Sequence, residues 1–227
     1  MIVAIDGPSG AGKSTVAKEV AKRLGFSCLD TGAMYRAVAW KALAGGVSLD
    51  DSEALGAIAR DNEIDFGHEA GDPAPKRVFI SGADVTDAIR TAEIDRAVGP
   101  CAAHPAVRGA LVAQQQRIGR AGDYVVEGRD IGTVVFPEAP AKVFLTASAE
   151  ERATRRVKQN EERGIGSVDY DEVLADIKKR DDIDSSRATS PLTPADDAVM
   201  LDSTGKTVEE IIDFICDLAK KAQAGER

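Results

Sequence analysis

Several things that would set a protein's class are scarce or missing in this sequence. Its three cysteines, Cys28, Cys101 and Cys216, are odd in number, far apart and without metal-ligand spacing. That excludes a disulfide framework and argues against a zinc site. The two histidines, His68 and His104, have no triad-like or metal-like company, so each reads as ordinary surface or packing. No apolar run approaches the roughly 20 residues of a membrane span. The N-terminus lacks the basic stretch followed by a hydrophobic one that marks a secretory leader. Positive charge is in deficit: 29 Lys and Arg against 38 Asp and Glu leave a formal charge of −9. General binding to nucleic acid or to an anionic membrane needs a basic footprint, so any anion must be gripped locally. Internal repeats and low-complexity tracts are missing as well, and only residues 223–227 read as a frayed end. These absences lead us to expect a soluble, cytoplasmic monomer whose partners are small molecules, with neither nucleic acid nor membrane among them.

The chain of 227 residues is long enough for one large domain or a core with insertions, and its 43% hydrophobic content is that of a globular protein. Short apolar runs alternate with longer helical patterns, the signature of an α/β protein with a parallel sheet. Ile2-Val3-Ala4-Ile5 is the first strand. A helix behind Ser14 carries Val16, Ala17, Val20, Ala21 and Leu24 on one face until Gly25 ends it. Ser27-Cys28-Leu29 is a second strand, and a helix over 33–44, with Trp40 in the core, stops at Gly45-Gly46. Further strands at 124–126, 143–145 and 199–201, each expected to lead through a turn into a helical segment, bring the core to five. Between 64 and 86 the pattern changes: Ile64 and Phe66 alternate with acids, 71–75 is rich in breakers, and 77–82 reads as a strand entering a hairpin. This is a small β-rich insertion.

The strongest local signal is Gly7-Pro8-Ser9-Gly10-Ala11-Gly12-Lys13-Ser14. It satisfies G-x-x-x-x-G-K-[ST] with a strand before it and an amphipathic helix behind it, as a phosphate-binding loop requires. Glycines let backbone N–H groups converge on phosphate oxygens, and the helix adds its positive end. Lys13 is placed to neutralise the outer phosphates of a bound nucleotide, and the Ser14 hydroxyl to take one position on a bridging Mg²⁺.

The remaining polar chemistry falls in loops at the C-terminal ends of the strands, where open α/β sheets place ligands. Asp30-Thr31-Gly32-Ala33-Met34-Tyr35-Arg36 follows the second strand, with Thr31 as a helix cap and Arg36 one turn in. Glu127-Gly128-Arg129-Asp130-Ile131-Gly132-Thr133 follows the third, a setting suited to anion and metal handling. Arg152, Arg155 and Arg156 are spaced to share a helix face and to close over phosphates, although the surrounding glutamates also fit a salt-bridged surface helix. Arg180, Asp184 and Arg187 form a second such stripe, in which two guanidinium forks flank a carboxylate.

The set of four segments, 7–14, 30–36, 127–137 and 180–187, in this order along nearly the whole chain, resembles bacterial cytidylate kinases. The resemblance implies a single P-loop kinase domain over 1–227. Its core strands would run second, third, first, fourth, fifth, with a monophosphate-binding insertion near 60–90 and a short helical lid near 150–165. It implies phosphoryl transfer from ATP to CMP or dCMP with Mg²⁺. Carried over by position, Lys13, Arg152, Arg155 and Arg156 would be catalytic. Gly7, Pro8, Ser9, Gly10, Ala11, Gly12, Lys13, Ser14 and Thr15 would hold ATP, with Ser14 on the metal. Thr31, Arg36 and Arg129 would hold the acceptor phosphate, Arg108 and Asp130 the cytosine edge, and Arg180, Asp184 and Arg187 the ribose and phosphate. Where many relatives offer a serine to the base, ahead of the helix carrying Arg108, this chain has Gly99-Pro100. Two other readings stay open. One is another small P-loop kinase with UMP or a different acceptor. The other is a nucleotide switch, disfavoured because no Asn-Lys-x-Asp guanine signature occurs.

Overall fold

Alternation of side chains along buried strands is what builds the layers. The computed structural model describes residues 1–69, 71–187 and 189–225; Glu226 and Arg227, the last of the expected frayed end, lie outside them. Strand β1 (Ile2–Asp6) runs into helix α1 (Lys13–Leu24), β2 (Ser27–Asp30) into α2 (Thr31–Ala44), and α3 (Ser52–Asp61) follows. A small sheet comes next, β3 (Ile64–Gly67), β4 (Arg77–Ile80) and β5 (Ala83–Asp84), and then α4 (Ala92–Ala103) and α5 (Pro105–Gly119). The core resumes with β6 (Tyr124–Gly128), β7 (Ala141–Thr146), α6 (Ala149–Arg163), α7 (Tyr170–Ser186), β8 (Val199–Asp202) and α8 (Val208–Gln223).

The five core strands pair in the order β2-β6-β1-β7-β8, every pairing parallel. This is the expected order. Because successive side chains point to opposite faces, Val3, Ile5, Cys28 and Val125 enter one apolar layer with α1 and α8. Ala4, Leu29 and Val126 enter the other with α2, α4 and α5. Both faces are therefore covered, which is why these strands read as nearly continuous apolar runs. Helices α6 and α7 pack on each other through Ala153, Val173 and Ile177. Among the described residues, no helix is long and apolar enough to cross a membrane.

The insertion is an antiparallel sheet, β3-β4-β5, in which Ile64 faces Ile80 and Phe66 faces Val78. The breaker-rich turn before β4 lies against the open edge of β2, where the Cys28 amide donates to the Pro73 carbonyl at 3.0 Å. That turn covers an edge that would otherwise be free to pair with another chain.

One expectation needs correcting. Strand β6 does not lead into an α-helix: a single wide π-type turn, Ile131–Val135, carries the chain across to β7. Its amides are claimed by a carboxylate on β1, with Ile131 and Gly132 donating to Asp6 at 2.8 and 2.7 Å. Gly99 and Pro100 lie inside α4 and so ahead of α5, the helix that carries Arg108, as expected.

Candidate active site

Strand β1 ends at the floor of a cleft of about 660 Å³. Gly7 turns the chain there with φ 147°, and a Cβ at this position would lie 1.9 Å from the Leu145 carbonyl oxygen. No other residue fits. Helix α1 then starts from Gly12 with no side-chain cap and no acidic residue in its first turn, which leaves its amide groups and positive end for an anion. Ser9 through Thr15 line the cleft. Gly7 and Pro8 do not, and Pro8 contributes its carbonyl, which accepts from Lys13 Nζ at 2.8 Å.

Lys13 is buried, and that burial, followed by Arg129, lowers its pKa while Glu127 and Asp6 pull it up. The Ser14 hydroxyl donates to Glu127 Oε2 at 2.8 Å, and Glu127 Oε1 has no hydrogen-bond partner. Burial first, then the nearby Asp30, pushes the Glu127 carboxyl up to about 7. This pair fits a Mg²⁺ ion. It offers hard oxygen donors with one unused carboxylate oxygen, and no group of three or more metal-ligating side chains stands among the described residues. An ion held there would complete its shell with water and substrate oxygens, as Mg²⁺ commonly does.

Thr31, Arg36, Arg108, Arg129, Asp130, Arg180, Asp184 and Arg187 line the same cleft. The cap of α2 is Asp30, which accepts from the Ala33 amide at 3.0 Å, while the Thr31 hydroxyl donates to the Glu127 carbonyl at 2.6 Å. Thr31 therefore ties β2 to β6 instead of capping. Arg36 donates to the Ile89 carbonyl at 3.2 Å and is paired with Asp95. Arg108 is buried against Asp130, and its guanidinium stands 5.4 Å from the centroid of the Tyr35 ring.

Asp184 is held differently from the stripe expected on α7. Its direct partner is Arg129, from the loop after β6, at 2.9 Å, with Arg187 at 3.5 Å. Arg180 acts on it through charge, and its own Nε is buried without a partner. Burial alone would raise Asp184, yet Arg129, Arg187 and Arg180 together hold it below the usual carboxylate range. Burial, followed by the Arg129 charge, brings Arg180 down to about 10.

The three arginines of α6 do not act as one face. Arg155 reaches Ser203 at 3.1 Å and Glu151 at 3.0 Å, and Arg156 donates to the Ser9 hydroxyl at 3.1 Å; both line the cleft. Arg152 is turned away. Its guanidinium is buried between Asp181, at 2.6 and 3.1 Å, and the carbonyls of Ala147 and Ser9, at 3.0 and 3.1 Å. These bonds consume most of its donors, so it clamps α7 and the phosphate loop to the start of α6.

Four features of the cleft were not singled out from the sequence. Glu127 sits at the end of a buried strand, where an acid amid Val125 and Val126 is a usable signal. Tyr35 and the Lys206-Thr207-Val208 wall, and Asp95, which holds Arg36, carry no local pattern, since only the fold brings them in. At Gly99, which also lines the cleft, a Cβ would meet no heavy atom within 4 Å, so the space a serine would use is open.

Two tests follow from these contacts. Arg152→Ala strips Asp181 and two carbonyls of their partner and should cost roughly 2–3 kcal/mol of stability. Arg156→Ala should leave the unfolding midpoint unchanged or raise it, because burial and the neighbouring Arg36, Arg163 and Arg129 already depress that guanidinium. Urea unfolding of the two variants checks the contrast. Glu127 makes stability depend on pH: the folded state keeps its proton up to about 7, whereas the unfolded chain releases it near 4.5. Stability attributable to this group therefore falls as pH rises through that window. Midpoints measured from pH 5 to 8 should flatten in Glu127→Gln, with the variant more stable than wild type at pH 8 by about 1 kcal/mol or more.

The comparisons with known proteins agree with this geometry. A family model described as cytidylate kinase matches residues 3–221. A cytidylate kinase of Saccharophagus degradans is 48% identical over 223 residues, covering 98% of each chain. One of Desulfitobacterium hafniense is 50% identical over 216 residues, covering 95% of this chain and 91% of its own. Among solved structures, an uncharacterized protein from Eubacterium ventriosum shares the fold, with a TM-score of 0.53 at 11% identity over 97% of this chain and 98% of that one. With the family model spanning almost the whole chain and near-full-length relatives at about half identity, this chain belongs to the cytidylate kinase family.

Proposed function

We propose that the protein is an ATP-dependent kinase of CMP and dCMP, working as a cytoplasmic monomer. The observation that carries this reading is one continuous cleft with two anion sites. The phosphate loop with Lys13 forms one wall, and Arg36, Arg129, Arg180 and Arg187 stand on the other. A cleft for a single nucleotide would leave one of these sets without a use. Buried free thiols at Cys28, Cys101 and Cys216 support a reducing compartment.

In this reading the loop amides and Lys13 hold the ATP phosphates, while Arg129, Arg36 and Arg180 hold the acceptor phosphate. Arg108 and Asp130 face the base, and Asp184, fixed by Arg129, accepts from a ribose hydroxyl. An oxygen of the CMP phosphate attacks the γ-phosphorus, and the bond to the β–γ bridging oxygen breaks, leaving ADP and CDP. Such a loose transfer demands alignment and charge neutralisation more than a strong base, which suits a site without histidine. Mg²⁺, which Ser14 and Glu127 would hold, would supply positive charge to offset the negative charge of the transferred phosphoryl group. Arg155 and Arg156, on the helix over the loop, complete the enclosure and keep water from the γ-phosphate. The insertion built on β3, β4 and β5 packs behind α2 and supports the acceptor wall.

The experiment is a panel of initial rates with ATP and CMP, dCMP, UMP, AMP or dTMP. ATP consumption should require an acceptor and be fastest with CMP or dCMP; steady hydrolysis without an acceptor would refute the reading. On the same assay, Asp184→Ala should lower kcat/KM for CMP by about tenfold to a few hundredfold, the loss of one charged hydrogen bond. Its KM for ATP should change little.

A further inference from the structure

Asp6 is buried, at 4% exposure, and no step of the proposed reaction uses it. It is the last residue of β1, directly before Gly7, and in register it stands between Gly128 of β6 and Phe144 of β7. An acid at that position in an apolar sheet is expensive, and burial pushes its carboxyl up to about 6. What offsets the cost is specific: Oδ1 accepts from the Ile131 amide at 2.8 Å and Oδ2 from the Gly132 amide at 2.7 Å. These amides open the π-type turn that begins directly after Asp130. The two residues just before them are Arg129, which fixes Asp184, and Asp130, which pairs with Arg108. The turn itself has no side-chain cap of its own from Asp130.

We propose that Asp6 is a positioning residue that sets the acceptor wall relative to the phosphate loop. One end of Asp6 is covalently the start of the donor loop. The other end holds, through two charge-assisted bonds, the backbone that aims Arg129 and Asp130. The spacing between the two phosphate sites is thereby fixed across a single residue. In-line transfer depends on that spacing at the level of an ångström. Glycine at 132 belongs to the same device, because a Cβ there would lie 3.4 Å from Asp6 Oδ2 and 3.1 Å from Lys142 Cδ. This inference rests on the acceptor assignment under Proposed function.

Asp6→Asn tests it with almost no change of shape: one amide keeps an acceptor, and the other meets a donor. The expected result is a rise in KM for CMP of about tenfold or more, with KM for ATP within about threefold. Hydrogen exchange at the Ile131 and Gly132 amides should also accelerate relative to wild type. Gly132→Ala, which crowds the same contact from the turn side, should reproduce the CMP-selective defect and serves if Asp6→Asn does not fold. Ile215→Val, on α8 and in a different apolar layer from Ile131 and Val135 of the turn, is the control for stability loss and should leave both KM values unchanged. Normal CMP kinetics in Asp6→Asn, equal losses for CMP and ATP, or unchanged exchange at 131 and 132 would overturn the proposal. If wild type itself fails to phosphorylate CMP, it is the acceptor assignment that fails.

Discussion

Positive charge held against its own repulsion is the constraint on which this structure turns. The molecule is acidic, at −9, yet one cleft gathers Lys13, Arg36, Arg129, Arg156, Arg180 and Arg187. Burial and mutual repulsion depress Lys13, Arg156, Arg180 and Arg187 together. Carboxylates offset only part of this. Asp95 takes Arg36, Asp184 takes Arg129 and Arg187, and Glu127 faces Lys13. Arg180 Nε and Glu127 Oε1 have no hydrogen-bond partner, and Arg187 Nη2 has only its 3.5 Å ion pair with Asp184. Buried orphans of this kind are costly in a folded protein, and under the proposed function phosphate oxygens and a divalent ion would relieve them.

The scaffold holds these charges in place by distributing them over separate rigid elements. Lys13 and Ser14 ride on α1, Arg36 on α2, Arg108 on α5, Arg156 on α6, and Arg180 and Asp184 on α7. No single helix could present cations on opposite sides of a substrate. The parallel sheet does so because the loop after each strand leaves from the same edge. Ties between strand ends then fix the loops to one another: Thr31 to the Glu127 carbonyl, Ser14 to the Glu127 carboxylate, and Asp6 to the turn after Asp130.

What could be read from the sequence was local. The phosphate loop declared itself because its chemistry needs a fixed spacing of glycine, lysine and serine within eight residues. The core strands declared themselves because strands buried on both faces must be apolar. Partner choice could not be read the same way. Arg152, Arg155 and Arg156 have the same spacing logic, but only Asp181, 29 residues further on, draws Arg152 away from the cleft. The stripe on α7 was correctly spaced, yet the cation that grips Asp184 comes from Arg129, 55 residues earlier. Thr31 was the cap read from the sequence, but Asp30 takes that place, and Thr31 donates instead to a carbonyl of the neighbouring strand. The turn at 131–135 broke the expected strand–helix alternation for the same reason: a distant carboxylate, Asp6, satisfied amides that a local pattern would have left to a helix cap.

The central claim is that the cationic wall of the cleft is built for the acceptor's phosphate and not merely for a nucleoside. Calorimetric binding of CMP and of cytidine to the same preparation tests it directly. The account predicts that cytidine binds at least 100-fold more weakly than CMP, a difference of about 2.7 kcal/mol. It also predicts that the gap narrows as salt is raised. Affinities within threefold of each other, insensitive to salt, would contradict it.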